Sequence, residues 1–266
     1  FIMQEKRIHF LSSLPRAGNT ILGSILNQNP NIGTTPNSVV TDIARSLYTV
    51  KQQETFQNFP NNSSFDNICS SIFDNYYKDW NYKHIIDRGP WGFPTNFKFL
   101  KKHFNQEIKI IVLVRDVLEI LSSYIKWSNE NKNAFVNQYE ANTVEEKCHM
   151  LMNKEGYIMN ELVGVHHLTQ ITENKHYVHL IEYDDLIYHP ENTINSIYDF
   201  LGIESFKHNF EKFNQFTVQN MFYEDSKVLG DNLHTVKENG LTKTVYDFEL
   251  PTSIVEKYGS LNFWRK

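Results

Sequence analysis

Cysteine is scarce in this chain: Cys69 and Cys148 are the only two in 266 residues. Neither stands in a Cys-x-x-Cys pair or beside a His/Cys cluster of metal-ligand spacing, which excludes a disulfide scaffold and a zinc module. A reducing, cytoplasmic location is the expectation. Long hydrophobic runs are missing as well. No stretch of about 18 apolar residues exists, so nothing reads as a membrane-spanning helix. The opening Phe1-Ile2-Met3-Gln4-Glu5-Lys6 lacks the charged, apolar and small-residue parts of a signal peptide. Excess positive charge is also absent, since 26 Lys+Arg stand against 31 Asp+Glu for a formal net charge of −5. That balance excludes a nucleic-acid binder that works through its whole surface and leaves room for a local basic pocket that takes a small anion. With 40% hydrophobic and 14% aromatic residues, the composition is that of a globular chain able to bury one large core.

Strand-like and helical segments alternate. Arg7 to Leu14 is short, apolar-rich and stopped by Pro15, and Gly18-Asn19-Thr20 then opens a run in which Ile21, Leu22, Ile25 and Leu26 recur at helical spacing. Residues 31–37 read as loop. Polar helices are predicted from the N-cap residue Ser38 through Tyr48, and from about Ser64 to Trp80. Lys83 to Asp87 is a second strand, ended by Arg88-Gly89-Pro90. Ile108 to Val114, with three Ile and two Val, has the makeup of a central parallel strand covered on both faces. A helix from Asp116 to about Trp127, a polar loop over 128–142 and a long helix over 143–172 follow. Tyr177 to Ile181 is a strand, and Thr193 to Leu201 is a helix closed by Gly202. The alternation predicts a single α/β domain over 1–266 with a mostly parallel sheet, and helical cover from about 38–80 and 128–175 over the site.

Two segments carry chemistry. Leu14-Pro15-Arg16-Ala17-Gly18-Asn19-Thr20 lies between a strand and a helix, where free backbone N–H groups and the positive end of the helix dipole meet. Gly18 allows close backbone approach to a phosphate, Thr20 adds a hydroxyl and Arg16 a guanidinium fork. The segment is not a Walker loop, because Asn19 stands where that motif has its lysine. The second segment is Val114-Arg115-Asp116 through Ser122-Ser123. Arg115 ends the central strand, and Ser123 follows Asp116 by about two helical turns, so both can face one ligand above the sheet.

Together the two segments resemble the P-loop-like sulfotransferase family, whose members bind 3′-phosphoadenosine 5′-phosphosulfate (PAPS). In that family a Pro-[Lys/Arg]-x-Gly-x-Thr loop holds the 5′-phosphosulfate, and an Arg followed eight residues later by a Ser holds the 3′-phosphate. Pro15-Arg16-Ala17-Gly18-Asn19-Thr20 and Arg115 with Ser123 match those patterns. Glu182-Tyr183-Asp184-Asp185-Leu186 with Pro190, and Ile197 to Gly202, resemble a further stretch that is structural in the family. The resemblance runs from about residue 7 to 202. It implies a three-layer P-loop NTPase-like α/β fold and metal-free transfer of a sulfuryl group from PAPS to an acceptor hydroxyl or amine on a carbohydrate, peptide or small alcohol.

The resemblance also implies site residues. Arg16, Ala17, Gly18, Asn19 and Thr20 would cradle the 5′ end, Arg115 and Ser123 the 3′-phosphate, and Arg16 would neutralise the leaving phosphate. Arg88 sits at a strand end where relatives place a lysine against the transferring group. Lys237 and Lys243, in a late polar segment with His234, are candidates for a clamp over the nucleotide. The general base is not legible. The His that cytosolic members carry after the Lys83–Asp87 strand is missing, and Asn37 occupies the place where tyrosylprotein-type members have a Glu. Asp42, Asp87 and His84 are the remaining nearby candidates. Two other functions stay open: a P-loop-type kinase with Asp116 as metal ligand, and a nucleotide-binding module without catalysis.

Overall fold

The computed structural model describes residues 6–138, 140–215, 217–229, 232–236, 238, 240–246 and 248–265. Its first unit is β1 (Arg7–Ser13), α1 (Asn19–Leu26) and the short β2 (Ile32–Thr34). Four polar helices follow: α2 (Val39–Val50), α3 (Glu54–Asn58), α4 (Asn62–Ser70) and α5 (Ile72–Tyr76). The chain returns through β3 (His84–Arg88), α6 (Pro94–His103), β4 (Ile110–Val114) and α7 (Val117–Glu130). Then come α8 (Val144–Met152), α9 (Tyr157–Gln170), β5 (Val178–Glu182), α10 (Tyr183–Tyr188) and α11 (Pro190–Leu201). A two-strand ribbon of β6 (Thr217–Val218) and β7 (Met221–Phe222) precedes α12 (Ser226–Leu229) and α13 (Thr252–Tyr258).

Strands β1 to β5 form one parallel sheet in the order β2-β3-β1-β4-β5. The chain builds to one side of β1 and then crosses to the other, so β1 is the topological switch point, and the crevice above its carboxyl end is where such sheets take ligands. Every residue of β4 is buried, as is the middle of β1, because helices cover both faces. Beneath the sheet's centre, Phe10 meets Trp91 and Phe104 edge-to-face at 5.0 and 4.9 Å, and Phe73 joins them. No helix among the described residues is long and apolar enough to cross a membrane.

Several boundaries differ from the sequence-based expectation. Residues 32–34 are not loop: this short strand pairs with His84 to Ile86 at the sheet edge. The helix expected over 143–172 is two helices broken at Asn153–Gly156, where a Cβ on Gly156 would stand 2.3 Å from the Leu151 carbonyl oxygen. The 64–80 segment likewise divides at Ser71. Helix α11 starts earlier than expected, with Pro190 in its first turn, and ends on Gly202 in the left-handed region (φ 70°).

Candidate active site

Four strands deliver four functional groups from one end of the sheet. Arg16 follows β1, Arg88 ends β3, Arg115 follows β4 and Tyr183 follows β5. All four line one cavity of about 400 Å³, together with Gly18, Asn19, Thr20 and Ser123. Its outer wall is a late irregular segment that contributes His234, Thr244 and Tyr246.

The loop after β1 is shaped for an anion. Arg16 (φ 58°) and Gly18 (φ 94°) both take left-handed backbone, which turns successive N–H groups toward a common centre at the start of α1. Only glycine suits position 18, because a Cβ there would lie 2.9 Å from the Tyr183 ring in addition to the positive φ. The Asn19 side chain is buried and donates to the Leu14 carbonyl at 3.0 Å, so it closes the loop while its backbone N–H stays at the helix entrance.

Arg115 is the organiser of the site. Its Nη1 donates to the Arg16 carbonyl (2.9 Å), its Nε to Glu119 (2.9 Å) and its Nη2 to the Tyr246 hydroxyl (3.2 Å). The guanidinium also lies over the Tyr183 ring, 4.2 Å from its centre. Burial works against its charge, but Tyr246, Glu119 and Tyr183 outweigh that and raise its pKa. Three of five N–H bonds are thereby used, and two remain for a ligand. Arg16 Nε in turn donates to Ser123 Oγ at 2.9 Å, so the two motifs read from the sequence meet directly.

On the opposite wall, Arg88 Nη1 donates to the Pro36 carbonyl and to His234 Nε2, the latter at 2.8 Å. Burial lowers the Arg88 pKa, and the nearby Tyr157 and Glu161 partly restore it. Burial also pushes the Glu161 carboxyl up to about 7, against the pull of Arg88. Among the described residues, no carboxylate approaches Arg16 or Arg88 within the 4.0 Å of an ion pair. Cations shielded from water without a carboxylate partner ask for an anionic ligand.

The other sequence candidates lie elsewhere. Asp42 is 69% exposed on α2 and pairs with Arg45, away from the cavity. Asp87 is wholly buried and accepts from the Tyr77 hydroxyl (2.5 Å) and Trp91 Nε1 (2.9 Å), so it braces the core beneath β3. His84 begins β3 at the far end of the sheet, stacked on His9. Lys243 is part of the wall segment, but its ammonium faces Glu119 (2.7 Å) and Asp184 (2.8 Å) instead of the cavity. Burial opposes that charge, and the hydrogen bonds to Asp184 and Glu119 outweigh it and push its pKa up to about 12. Lys237 lies outside the described residues. Asp116 caps α7 through Leu118 N (2.9 Å) and binds Arg265 (2.9 Å) and Asn262 (2.7 Å), which turns it from the cavity. Residues 38–80 contribute nothing to the cavity lining, whereas Glu130 and Tyr157 from the second predicted cover do. Among the tryptophans near the sheet, Trp127 lines the cavity and Trp91 is core.

Sequence reading missed Tyr246, Glu119, Glu161 and Asp225. Tyr246, Glu161 and Asp225 stand in no motif and reach the site through the packing of irregular or helical cover, whereas Glu119 lies inside the Arg115–Ser123 segment, where its i,i+4 spacing from Arg115 is the signal that points to it.

Comparison with known proteins agrees with this geometry. A family profile described as "Sulfotransferase domain" matches residues 7–243. No curated protein sequence matches the chain. Among solved structures, a sulfotransferase from Alicyclobacillus acidocaldarius is similar with a TM-score of 0.53 at 12% identity, over 77% of this chain and 84% of that one. The sulfotransferase domain of the Synechococcus PCC 7002 olefin synthase has a TM-score of 0.48 at 16% identity, over 76% and 74%. A mouse sulfotransferase complexed with PAP has 0.48 at 16%, over 76% and 60%. With the profile spanning nearly the whole chain and the anion loop, the strand-end arginines and the parallel sheet all present, the chain belongs to the sulfotransferase family.

Proposed function

We propose that the cavity binds PAPS and that the enzyme transfers its sulfuryl group to a hydroxyl or amine of an acceptor whose identity the cavity leaves open. The observation that carries this reading is the convergence of Arg16, Thr20, Arg88, Arg115 and Ser123 on one cavity, two of these cations lacking a carboxylate partner among the described residues. When bound, PAPS supplies the sulfuryl group on a phosphosulfate anhydride. Arg16, the N–H groups of Gly18 and Asn19 and the Thr20 hydroxyl hold the 5′ end and take up the charge that grows on the departing phosphate. Arg115 offers its two remaining N–H bonds, with Ser123, to the 3′-phosphate. Arg88, on the opposite wall, stands against the transferring group. Three guanidiniums thus perform the neutralisation that divalent ions perform in phosphoryl transfer.

Calorimetric titration with 3′-phosphoadenosine 5′-phosphate (PAP) in metal-free buffer tests the assignment. Wild type is expected to bind, and Arg16→Ala and Arg115→Ala are each expected to weaken binding about 10- to 100-fold, the worth of a charge-assisted hydrogen bond to phosphate. Undiminished affinity in both variants contradicts the assignment. Magnesium-dependent binding of ATP alone favours a kinase, and PAP binding without any sulfate transfer marks a binding module.

A further inference from the structure

His234 and Asp225 form a pair that no motif announces. His234 Nδ1 lies 2.7 Å from Asp225 Oδ2, and the other carboxylate oxygen of Asp225 accepts the Leu233 N–H at 3.0 Å. Asp225 is buried, and His234 is only 14% exposed. Further bonds fix the imidazole's backbone: His234 N donates to Asn232 Oδ1 (3.0 Å), and Gln215 Nε2 donates to the His234 carbonyl (3.2 Å). The Tyr223 ring meets the imidazole edge-on at 4.6 Å. The outward nitrogen, Nε2, looks into a small recess lined by Asn19, Thr20, Thr35, Pro36, Arg88 and His234. That recess joins the helix entrance of the anion loop to the Arg88 wall.

The tautomer follows from the partners. A guanidinium only donates, so Nε2, facing Arg88 Nη1 at 2.8 Å, is an acceptor, and the ring proton sits on Nδ1 toward Asp225. A neutral imidazole whose Nε2 electron pair faces the recess and meets only the Arg88 guanidinium there, with a buried carboxylate behind it, is the arrangement of a general base and its orienting group.

We infer that His234 is the catalytic base of sulfuryl transfer and that Asp225 is its positioning residue. The inference rests on the PAPS reading of the cavity. Arg88 covers Nε2 in the free protein and turns to the donor's sulfuryl oxygens in the complex, which opens Nε2 to the acceptor. The acceptor O–H proton passes to Nε2 while the acceptor oxygen forms the new bond to sulfur. The bond between sulfur and the bridging oxygen breaks, and its electron pair leaves with the 5′-phosphate of PAP. The resulting imidazolium is held by the Asp225 carboxylate until the proton returns to solvent. The charged groups facing His234 are Arg88 from β3, Arg16 from the anion loop and Asp225 from its own segment. Burial and Arg88 lower the imidazole to about 4, against the upward pull of Asp225, so the base is unprotonated at neutral pH.

The test uses PAPS with water as the acceptor, read as sulfate release, alongside histidine nitrogen NMR and PAP calorimetry on the full chain. His234→Gln is expected to lower sulfate release about 100-fold or more while PAP affinity stays within about twofold. Asp225→Asn is expected to mix the two imidazole tautomers, lower the rate and move the acid limb of the pH–rate profile to lower pH, because the carboxylate that holds the imidazole pKa up is gone. A merely structural Asp225 would leave the limb where it is. Unchanged sulfate release in His234→Gln, a cationic ring at pH 7, or a larger loss in Glu161→Gln than in His234→Gln overturns the inference. Failure of wild type to bind PAP instead overturns the donor reading, and with it the setting in which this base acts.

Discussion

Residues with displaced proton affinities mark both ends of the sheet, for different reasons. At the carboxyl end, His234 and Glu161 are shifted beside a cavity that gathers cations. At the amino end, His9 and His84, Nε2 to Nδ1 at 3.3 Å, are shifted chiefly because they are buried. Burial, His84 and the cations Lys109 and Arg7 bring His9 to about 3, and burial with Lys83 and Arg7 brings His84 to about 4. Both are neutral in the fold and take up a proton near pH 6.5 when unfolded, so the unfolded chain binds more protons between those values. Stability contributed by the pair is complete above about pH 6.5 and is lost as pH falls through that window toward 4 and 3. Glu161, raised to about 7, works in the opposite sense, being protonated in the fold first. The difference between variants isolates the histidines. Denaturant unfolding at pH 7 and pH 5 is expected to show His9→Asn losing about 2 kcal/mol less than wild type over that interval. Equal losses in the two proteins would place the acid sensitivity elsewhere. The same contrast explains what the sequence allowed at this scale. Arg16, Thr20, Arg115 and Ser123 are legible because their spacing follows from a strand, a turn and a helix. Asp42, Asp87 and His84 are adjacent to those landmarks in sequence, yet exposure, core hydrogen bonds or the wrong strand end remove them from the cavity.

At the level of elements, four of the five sheet strands are legible because continuous β-branched runs such as Ile110–Val114 have few other uses, and these four shift by only one or two residues from expectation, whereas the three-residue edge strand β2 is too short to show a pattern. The breaks inside the helical cover are harder to see. Leu151 and Ile158, seven residues apart, stay in helical phase across the polar stretch Asn153–Gly156, and the close approach of Gly156 to the Leu151 carbonyl, which leaves no room for a Cβ, marks the turn. Hardest is the wall between Leu233 and Tyr246, which has no period; its described residues are held by two backbone bonds, Phe213 N–H to the Glu238 carbonyl (3.1 Å) and Gly240 N–H to the Glu211 carbonyl (2.8 Å), and by side chains. Lys243 is its strap, bridging Glu119 of α7 and Asp184 of α10, while Tyr246 docks on Arg115. These partners are a quarter to two-fifths exposed, which keeps the strap's contribution to about 1 kcal/mol. Lys243→Met is therefore expected to raise amide exchange in 240–246 by about fivefold and leave α11 unchanged, as measured by hydrogen–deuterium exchange. Unaltered exchange in that segment would mean that Tyr246 and its neighbours hold the wall without the lysine.

For the whole molecule, the decisive feature is how charge is distributed on a chain with a net charge of −5. Arg45, Lys102, Lys126 and Arg265 pair with carboxylates at the surface, and the arginines at the strand ends collect where the parallel sheet opens. A small dianion or trianion is drawn to that place, and the net negative charge of the chain disfavours a polyanion. The fold therefore selects ligand size as well as sign. On the proposed reading the donor is recognised at both ends, and the 3′-phosphate assigned to Arg115 and Ser123 is what separates PAP from ordinary nucleotides. The most direct measurement compares the metal-free affinities of PAP and adenosine 5′-phosphate for the wild-type chain. PAP is predicted to bind about 10- to 100-fold more tightly, the worth of the additional charge-assisted contacts. Equal affinity for the two nucleotides would contradict the account at its centre.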